Sequence, residues 1–166
     1  RYGSIPGLMR KVRSKIQERK NMKRHGTASF PSPEEALRQR ETVFEKKVKF
    51  SILVPLYNTP EKFLTDMVDS VKKQTYEMGA VLADGSDHEH AYVGEICKRY
   101  AKDDKRIIYH VLDHNYGISG NTNECLKLAA GDYIGLFDHD DVLHPAALFE
   151  YAKAINEEGA DYIYCD

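Results

Sequence analysis

The chain has 166 residues, 42% of them apolar and 30% charged, a balance that suits one globular domain able to bury its own core. No run nears the ~18 apolar residues of a membrane span, no signal-peptide core opens the chain, and three widely spaced cysteines (Cys97, Cys125, Cys165) without a CxxC indicate neither a disulfide framework nor a zinc site, so the expected compartment is the cytoplasm. A net charge of −2 hides an asymmetry, +9 over residues 1–49 against −11 over residues 50–166, and the acidic body lacks the clustered positive charge that a nucleic-acid groove requires.

Leu8, Val12 and Ile16 recur at helical spacing among Arg10, Lys11, Arg13, Lys15, Arg19 and Lys20, which predicts a basic amphipathic helix from Leu8 to about Arg24. Such a helix suits peripheral contact with the anionic inner face of a membrane; the plainer reading packs it against the acidic body. Pro31-Ser32-Pro33 interrupts the pattern. Ser32 as N-cap, Pro33 at the first helical position and Glu34-Glu35 in the first turn then predict a second helix through about Glu45. Residues 1–49 thus read as a helical preface without evident chemistry, and residues 50–166 as the main domain.

From Phe50 onward strands and helices alternate. Phe50 to Val54 predicts a strand, and Thr59-Pro60-Glu61 is expected to cap a helix whose apolar face holds Phe63, Leu64, Met67, Val68 and Val71. Ala80 to Ala83 predicts a second strand ending in the turn Asp84-Gly85-Ser86-Asp87, followed by a helix from about Ala91 to Ala101. A third strand is predicted over Arg106 to Leu112, and Gly117 to Ala130 reads as a loop entering a helix. Asp132 to Phe137 predicts a fourth strand, His144-Pro145 opens another helix, and Asp161 to Cys165 predicts a last short strand. Five strands alternating with helices predict an α/β fold, a mostly parallel sheet covered on both faces.

In such a sheet the carboxyl ends of the strands share one edge, and ligands dock outside it. Three of the predicted ends carry polar or turn residues: Pro55-Leu56-Tyr57-Asn58, Asp84-Gly85-Ser86-Asp87 and Asp138-His139-Asp140-Asp141. Strand alternation would set Asp138 and Asp140 on one side with His139 opposite. Two carboxylates so placed predict a hard cation, Mg2+ or Mn2+, and with it a phosphate-bearing ligand that completes the cation's shell. The blander reading is an acidic turn that caps the next helix. Asn115 to Asn123 places glycines and amides around a helix start, where backbone N–H groups can meet an anion. His110, His114, His139 and His144 lack the paired spacing of a metal site and read as structural or solvent-facing.

Ser51-Ile52-Leu53-Val54-Pro55-Leu56-Tyr57-Asn58, Gln74-Thr75-Tyr76, Ala83-Asp84-Gly85-Ser86, Asn115 through Asn123, Gly131-Asp132-Tyr133-Ile134 and Phe137-Asp138-His139-Asp140-Asp141 follow one another in that order. Together they resemble family 2 glycosyltransferases of the GT-A fold, of the bacterial surface-polysaccharide type, over their N-terminal nucleotide-sugar-binding portion. The resemblance implies that Pro55 and Tyr57 line the nucleoside pocket, that Asp84 bonds the nucleobase and that Asn123 lies near the phosphate-facing helix. It further implies a DxD pair in which Asp138 faces the ribose and metal region while Asp140 ligates the Mg2+ or Mn2+ bridging the diphosphate. The implied reaction is an inverting transfer from a UDP- or dTDP-linked sugar to a glycan or lipid-linked glycan acceptor. Family members carry the catalytic base and acceptor surface on later segments, so no base is nominated up to Asp166, and the stretch is expected to bind donor without necessarily transferring sugar alone. One departure from the family pattern is the segment Tyr76 to Ala80, which is shorter and less aromatic.

Each residue also has a structural reading. Tyr57 can pack at a strand end, Asp84-Gly85 can serve only as a turn, Asn121 and Asn123 can simply start a helix, and Asp141 can cap one. Two rival functions use the same residues. In a haloacid-dehalogenase-like phosphotransferase Asp138 would be the nucleophile and Asp140 the acid/base; in a non-catalytic nucleotide-binding or membrane-docking module the acidic body is a scaffold.

Overall fold

The computed structural model describes residues 30–164, and from Pro31 onward the chain forms one compact unit. The basic helix expected over residues 8–24 lies outside the described residues, as do Cys165 and Asp166. Helix α1 spans Pro33–Glu41, opened by the Ser32 hydroxyl, which accepts the Glu35 N–H at 3.2 Å. It stops short of the expected Glu45 because Thr42 turns extended and its hydroxyl bonds back to the Arg38 carbonyl at 2.8 Å. The stretch that follows is stitched to the rest of the unit. Asn156 accepts the Lys46 N–H at 2.8 Å and donates to the Lys46 carbonyl at 3.0 Å, while Phe44 packs its ring on Tyr76 and Phe149.

Strands β1 (Phe50–Leu56), β2 (Met78–Asp84), β3 (Ile107–Val111) and β4 (Tyr133–Leu136) form one sheet in the order β3-β2-β1-β4, and every pairing is parallel. β1 is central, and its residues from Phe50 to Val54 are buried, which explains why it reads as an unbroken apolar run rather than an alternating one. β2 starts at Met78, within the segment that departs from the family pattern, yet pairs along its full length with β1 and from Ala80 with β3. Among the described residues the expected fifth strand is not found. Residues 161–164 form no strand, and Tyr162 and Tyr164 stand 84% and 75% exposed with no ladder to hold them.

Four helices flank the sheet: α2 (Glu61–Lys72), α3 (Tyr92–Asp103), α4 (Gly117–Lys127) and α5 (Ala147–Glu158). Leu64, Met67, Val68 and Val71 of α2, Val93, Ile96 and Cys97 of α3, and Leu148, Ala152 and Ile155 of α5 close over Ile52, Val54, Leu56, Ala80 and Leu82 on one face. Each fully buried aliphatic side chain there stabilises the fold by about 1.5–3 kcal/mol. The opposite face is smaller: Cys125 of α4, with Leu112, covers Leu53, Val81 and Ala83. Thr59 does not cap α2 as expected. The cap position is Pro60, which makes no side-chain bond, and the Thr59 hydroxyl is buried without a hydrogen-bond partner.

Connectivity places the candidate site. Chain order runs from β1 through β2 to β3 in one direction across the sheet; α4 then carries it back over the other face, and β4 joins the far side of β1. The direction therefore reverses between β1 and β4. Outside the carboxyl ends of two such strands an open α/β sheet leaves its ligand crevice.

Candidate nucleotide-sugar site

β1 outruns β4 at this crevice. The β1–β4 pairing ends at Leu53↔Leu136, whereas the β1–β2 pairing continues through Pro55↔Ala83 to Leu56↔Asp84. Pro55 carries no backbone donor, so it fits where the β4 ladder has already stopped. Pro55 is half-buried, and Tyr57, one residue past the strand, is 46% exposed beside the opening.

On the β4 side the Phe137 N–H still reaches the Leu53 carbonyl at 3.1 Å, one rung beyond β4, and the chain then turns. The Asp141 N–H closes that turn on the Asp138 carbonyl at 3.4 Å. Strand alternation therefore does not carry through Asp138 and Asp140 as the sequence suggested. The exposure pattern nonetheless persists, with Asp138 and Asp140 open to solvent and His139 half-buried between them. The backbone after the turn is fixed from α2 and the segment just past its end: Ser70 Oγ accepts the Leu143 N–H at 3.0 Å, Gln74 donates to the His144 carbonyl at 2.8 Å and accepts the Leu148 N–H at 3.2 Å, and the Thr75 N–H meets the Pro145 carbonyl at 2.9 Å. Gln74 and Thr75, read in the sequence only as a family signature, thus hold the acidic turn's exit.

The end of β2 is built around Asp84, which is 6% exposed. Its Oδ1 accepts the Ser86 N–H at 2.9 Å and its Oδ2 accepts the Tyr109 hydroxyl of β3 at 2.8 Å. The turn-forming reading of Asp84 is thereby realised, and Tyr109 adds a second tether to the same side chain. Ser86 Oγ in turn accepts the Asn58 N–H at 2.9 Å. The His90 imidazole, 2.7 Å away, and then the Asn58 amide hold the Asp87 carboxyl below its ordinary value. Sequence reading passed over Tyr109; the available signal was a phenol on the inward phase of a strand whose other inward residue is Ile107.

The asparagine loop is more self-contained than expected. Asn121, 2% exposed, accepts the Tyr116 N–H at 2.9 Å and donates to Asn115 Oδ1, which also accepts the Gly117 N–H at 2.9 Å. Two N–H groups at the start of α4 are therefore satisfied from within, and Asn121 is a structural residue. Gly117 occupies φ +74°, a conformation that a side chain would disfavour. Asn123 lies further along α4 and is exposed.

Among the described residues no group of three or more His, Cys, Asp or Glu side chains is gathered to hold a metal ion. A cleft of about 590 Å³ lined by Lys46, Lys47, Asp132, Tyr133 and Asp161 lies at the opposite, amino-terminal edge of β1 and β4.

Comparison with known proteins supplies the family. An uncharacterized protein of Sinorhizobium fredii is 36% identical over 120 residues, 70% of this chain and 13% of its own length. The glycosyltransferase GlyA of Streptococcus pneumoniae is 34% identical over 68% of this chain and 16% of its own. The solved structure of Staphylococcus aureus TarS 1-349 in complex with UDP-GlcNAc superposes with a TM-score of 0.58 at 29% identity, covering 68% of this chain and 32% of that one. The chain therefore spans well under half the length of these relatives, and its parallel sheet with flanking helices is shared with GT-A structures such as TarS. A profile of the family described as glycosyl transferase family 2 matches residues 51–166, and the chain belongs to that family.

Proposed function

We propose that this chain forms the donor-binding portion of a glycosyltransferase that moves a sugar from a UDP- or dTDP-linked donor to a glycan or lipid-linked glycan acceptor in surface polysaccharide synthesis, with inversion at the transferred carbon. One observation carries the reading: the acidic turn Asp138–Asp141 emerges at the β1/β4 crevice, where chain direction reverses, with Pro55 and Tyr57 on the neighbouring strand end. The nucleotide assignment draws support from TarS, a poly(ribitol-phosphate) beta-N-acetylglucosaminyltransferase solved with UDP and with UDP-GlcNAc. Family membership sets aside the phosphotransferase rival, in which Asp138 would be a nucleophile.

In this reading Asp138 and Asp140 hold Mg2+ or Mn2+, with Asp140 as the direct ligand and Asp138 toward the ribose. Two exposed carboxylates fit that role without a larger cluster, because Mg2+ takes one or two protein carboxylates and fills its shell with phosphate and water. When bound, the cation offsets negative charge developing on the diphosphate leaving group. Pro55 and Tyr57 line the nucleoside pocket, Asp84 accepts from the base, and Asn123 serves the phosphate side of α4. Calorimetry of the full chain with UDP, with and without Mn2+, tests the assignment. Asp140→Ala is expected to abolish Mn2+-dependent binding with an unchanged circular dichroism spectrum; wild-type affinity in that variant overturns it.

The proposed setting is cytoplasmic, with the basic segment over residues 8–24 drawn to anionic lipid at the membrane's inner face. No helix among the described residues is long and apolar enough to cross a membrane. Sedimentation with anionic liposomes should show binding at low salt that weakens at high salt. No binding at either salt ends the membrane proposal.

A further inference from the structure

The Asp84 carboxylate is buried, and its contacts fix its orientation. A carboxylate offers about four lone-pair sites. Here the Ser86 N–H occupies one on Oδ1 and the Tyr109 hydroxyl one on Oδ2, at 2.9 and 2.8 Å, so both oxygens are tethered from the protein side and what remains can only accept. Tyr109 comes from β3 and belongs to none of the motifs singled out in the sequence. Its hydroxyl fits only because α3 carries a glycine opposite: a Cβ on Gly94 would sit 2.7 Å from the Tyr109 oxygen and 3.8 Å from Asp84 Oδ2. Burial, and then the bond to Asp84, raises the Tyr109 pKa, which keeps the phenol a proton donor across the physiological range.

We propose that Tyr109 is a positioning residue for nucleobase recognition: admitted by the side-chain-free Gly94, its hydroxyl orients the Asp84 carboxylate to accept the imide N3–H of uracil or thymine. The inference rests on the reading of Asp84 as the base acceptor and adds to it the two residues that aim it. An acceptor held at both oxygens selects a base edge presenting a donor at that position. A free carboxylate could rotate to suit other edges.

The test compares UDP with its N3-methyl analogue, which lacks that single N–H, by calorimetry of the full chain in Mn2+. Wild-type protein should prefer UDP. Tyr109→Phe should lower UDP affinity about tenfold, the scale of one hydrogen bond to a charged group, and leave the analogue's affinity within about twofold, so that the preference shrinks by the same factor. Gly94→Ala reaches the same end by another route, since its methyl group displaces the Tyr109 hydroxyl without removing it. That variant keeps the proposal testable should Tyr109→Phe unfold in a parallel thermal melt. Undiminished preference for UDP in both variants, or equal weakening of both ligands, overturns the positioning role while leaving the donor site standing. Failure of the wild-type chain to bind UDP overturns both.

Discussion

Asn58 and Asp87 hold each other through two hydrogen bonds across adjacent strand ends: the Asn58 amide donates to Asp87 Oδ2 at 2.8 Å, and Asn58 Oδ1 accepts the Asp87 N–H at 3.1 Å. Asn58 does this from φ +50°, the one non-glycine residue of positive φ among those described. Asparagine tolerates that conformation better than most residues because its short polar side chain bonds locally. The loops after β1 and β2 are thus locked together beside Tyr57 and Asp84.

Asn58→Ala should therefore cost about 2 kcal/mol, combining two lost hydrogen bonds with a strained backbone. Asn58→Gly loses the same bonds but relieves the strain, so it should retain more stability than the alanine variant. Urea unfolding ranks the two, and the reverse order would refute the backbone argument.

Gly131→Ala should destabilise by about 3 kcal/mol, the upper range for overpacking. A Cβ there would lie 2.6 Å from the Ser51 nitrogen and 2.8 Å from the Lys49 oxygen, backbone atoms at the start of β1 that cannot move without disturbing the sheet. Ser51 Oγ also accepts the Gly131 N–H at 2.9 Å, which fixes the approach. A denaturation midpoint like that of the wild type would contradict so close a contact.

Gln74→Leu preserves size and removes polarity. The His144 carbonyl and the Leu148 N–H would lose their partner in a site that is 4% exposed, at a cost of about 2 kcal/mol. Because these bonds fix the chain just past the acidic turn, Mn2+-dependent UDP affinity should also fall. Chemical denaturation and calorimetry on the same preparation check both effects, and unchanged stability would remove Gln74 from its structural role.

Asp104 gives the fold an acid limb. Its hydrogen bonds with the Arg106 side chain, at distances down to 2.6 Å, pull its carboxyl down to about 2. A depressed folded-state value means the contribution is fully present above the unfolded value near 3.9 and is lost as pH falls toward 2. Since Arg106 is 42% exposed and solvent screens the pair, about 1 kcal/mol is expected. Asp104→Asn should flatten the stability profile between pH 4 and pH 2, as followed by thermal melts; an unaltered acid limb would assign it to other groups.

The strand–helix alternation, the parallel sheet and the run of strand-end motifs were legible in the amino-acid sequence, because strand burial and helix periodicity are local patterns that survive without tertiary detail. Buried β1 announced itself through Phe50 to Val54, Asp84 closes β2 where a turn was expected, and Asp138 comes just past β4. Local pattern misled where a segment depends on a partner. Tyr162 and Tyr164 have strand-forming side chains but no ladder, and Thr59 has a capping side chain but no helix N–H in its reach. Likewise the period of two was extended past β4 into Asp138–Asp141, where the backbone had already turned.

What the sequence by itself determined is the inventory: which residues are apolar on which period, and which polar groups follow each strand. Tertiary structure alone decided that β4 returns to the far side of β1, that Tyr109 reaches Asp84 past Gly94, and that Gln74 anchors the chain leaving the acidic turn. The physical reason is that hydrogen bonds between residues 25 or 70 positions apart leave no periodic trace. They depend on strand order and on space left by an absent side chain, which exist only once the sheet has assembled.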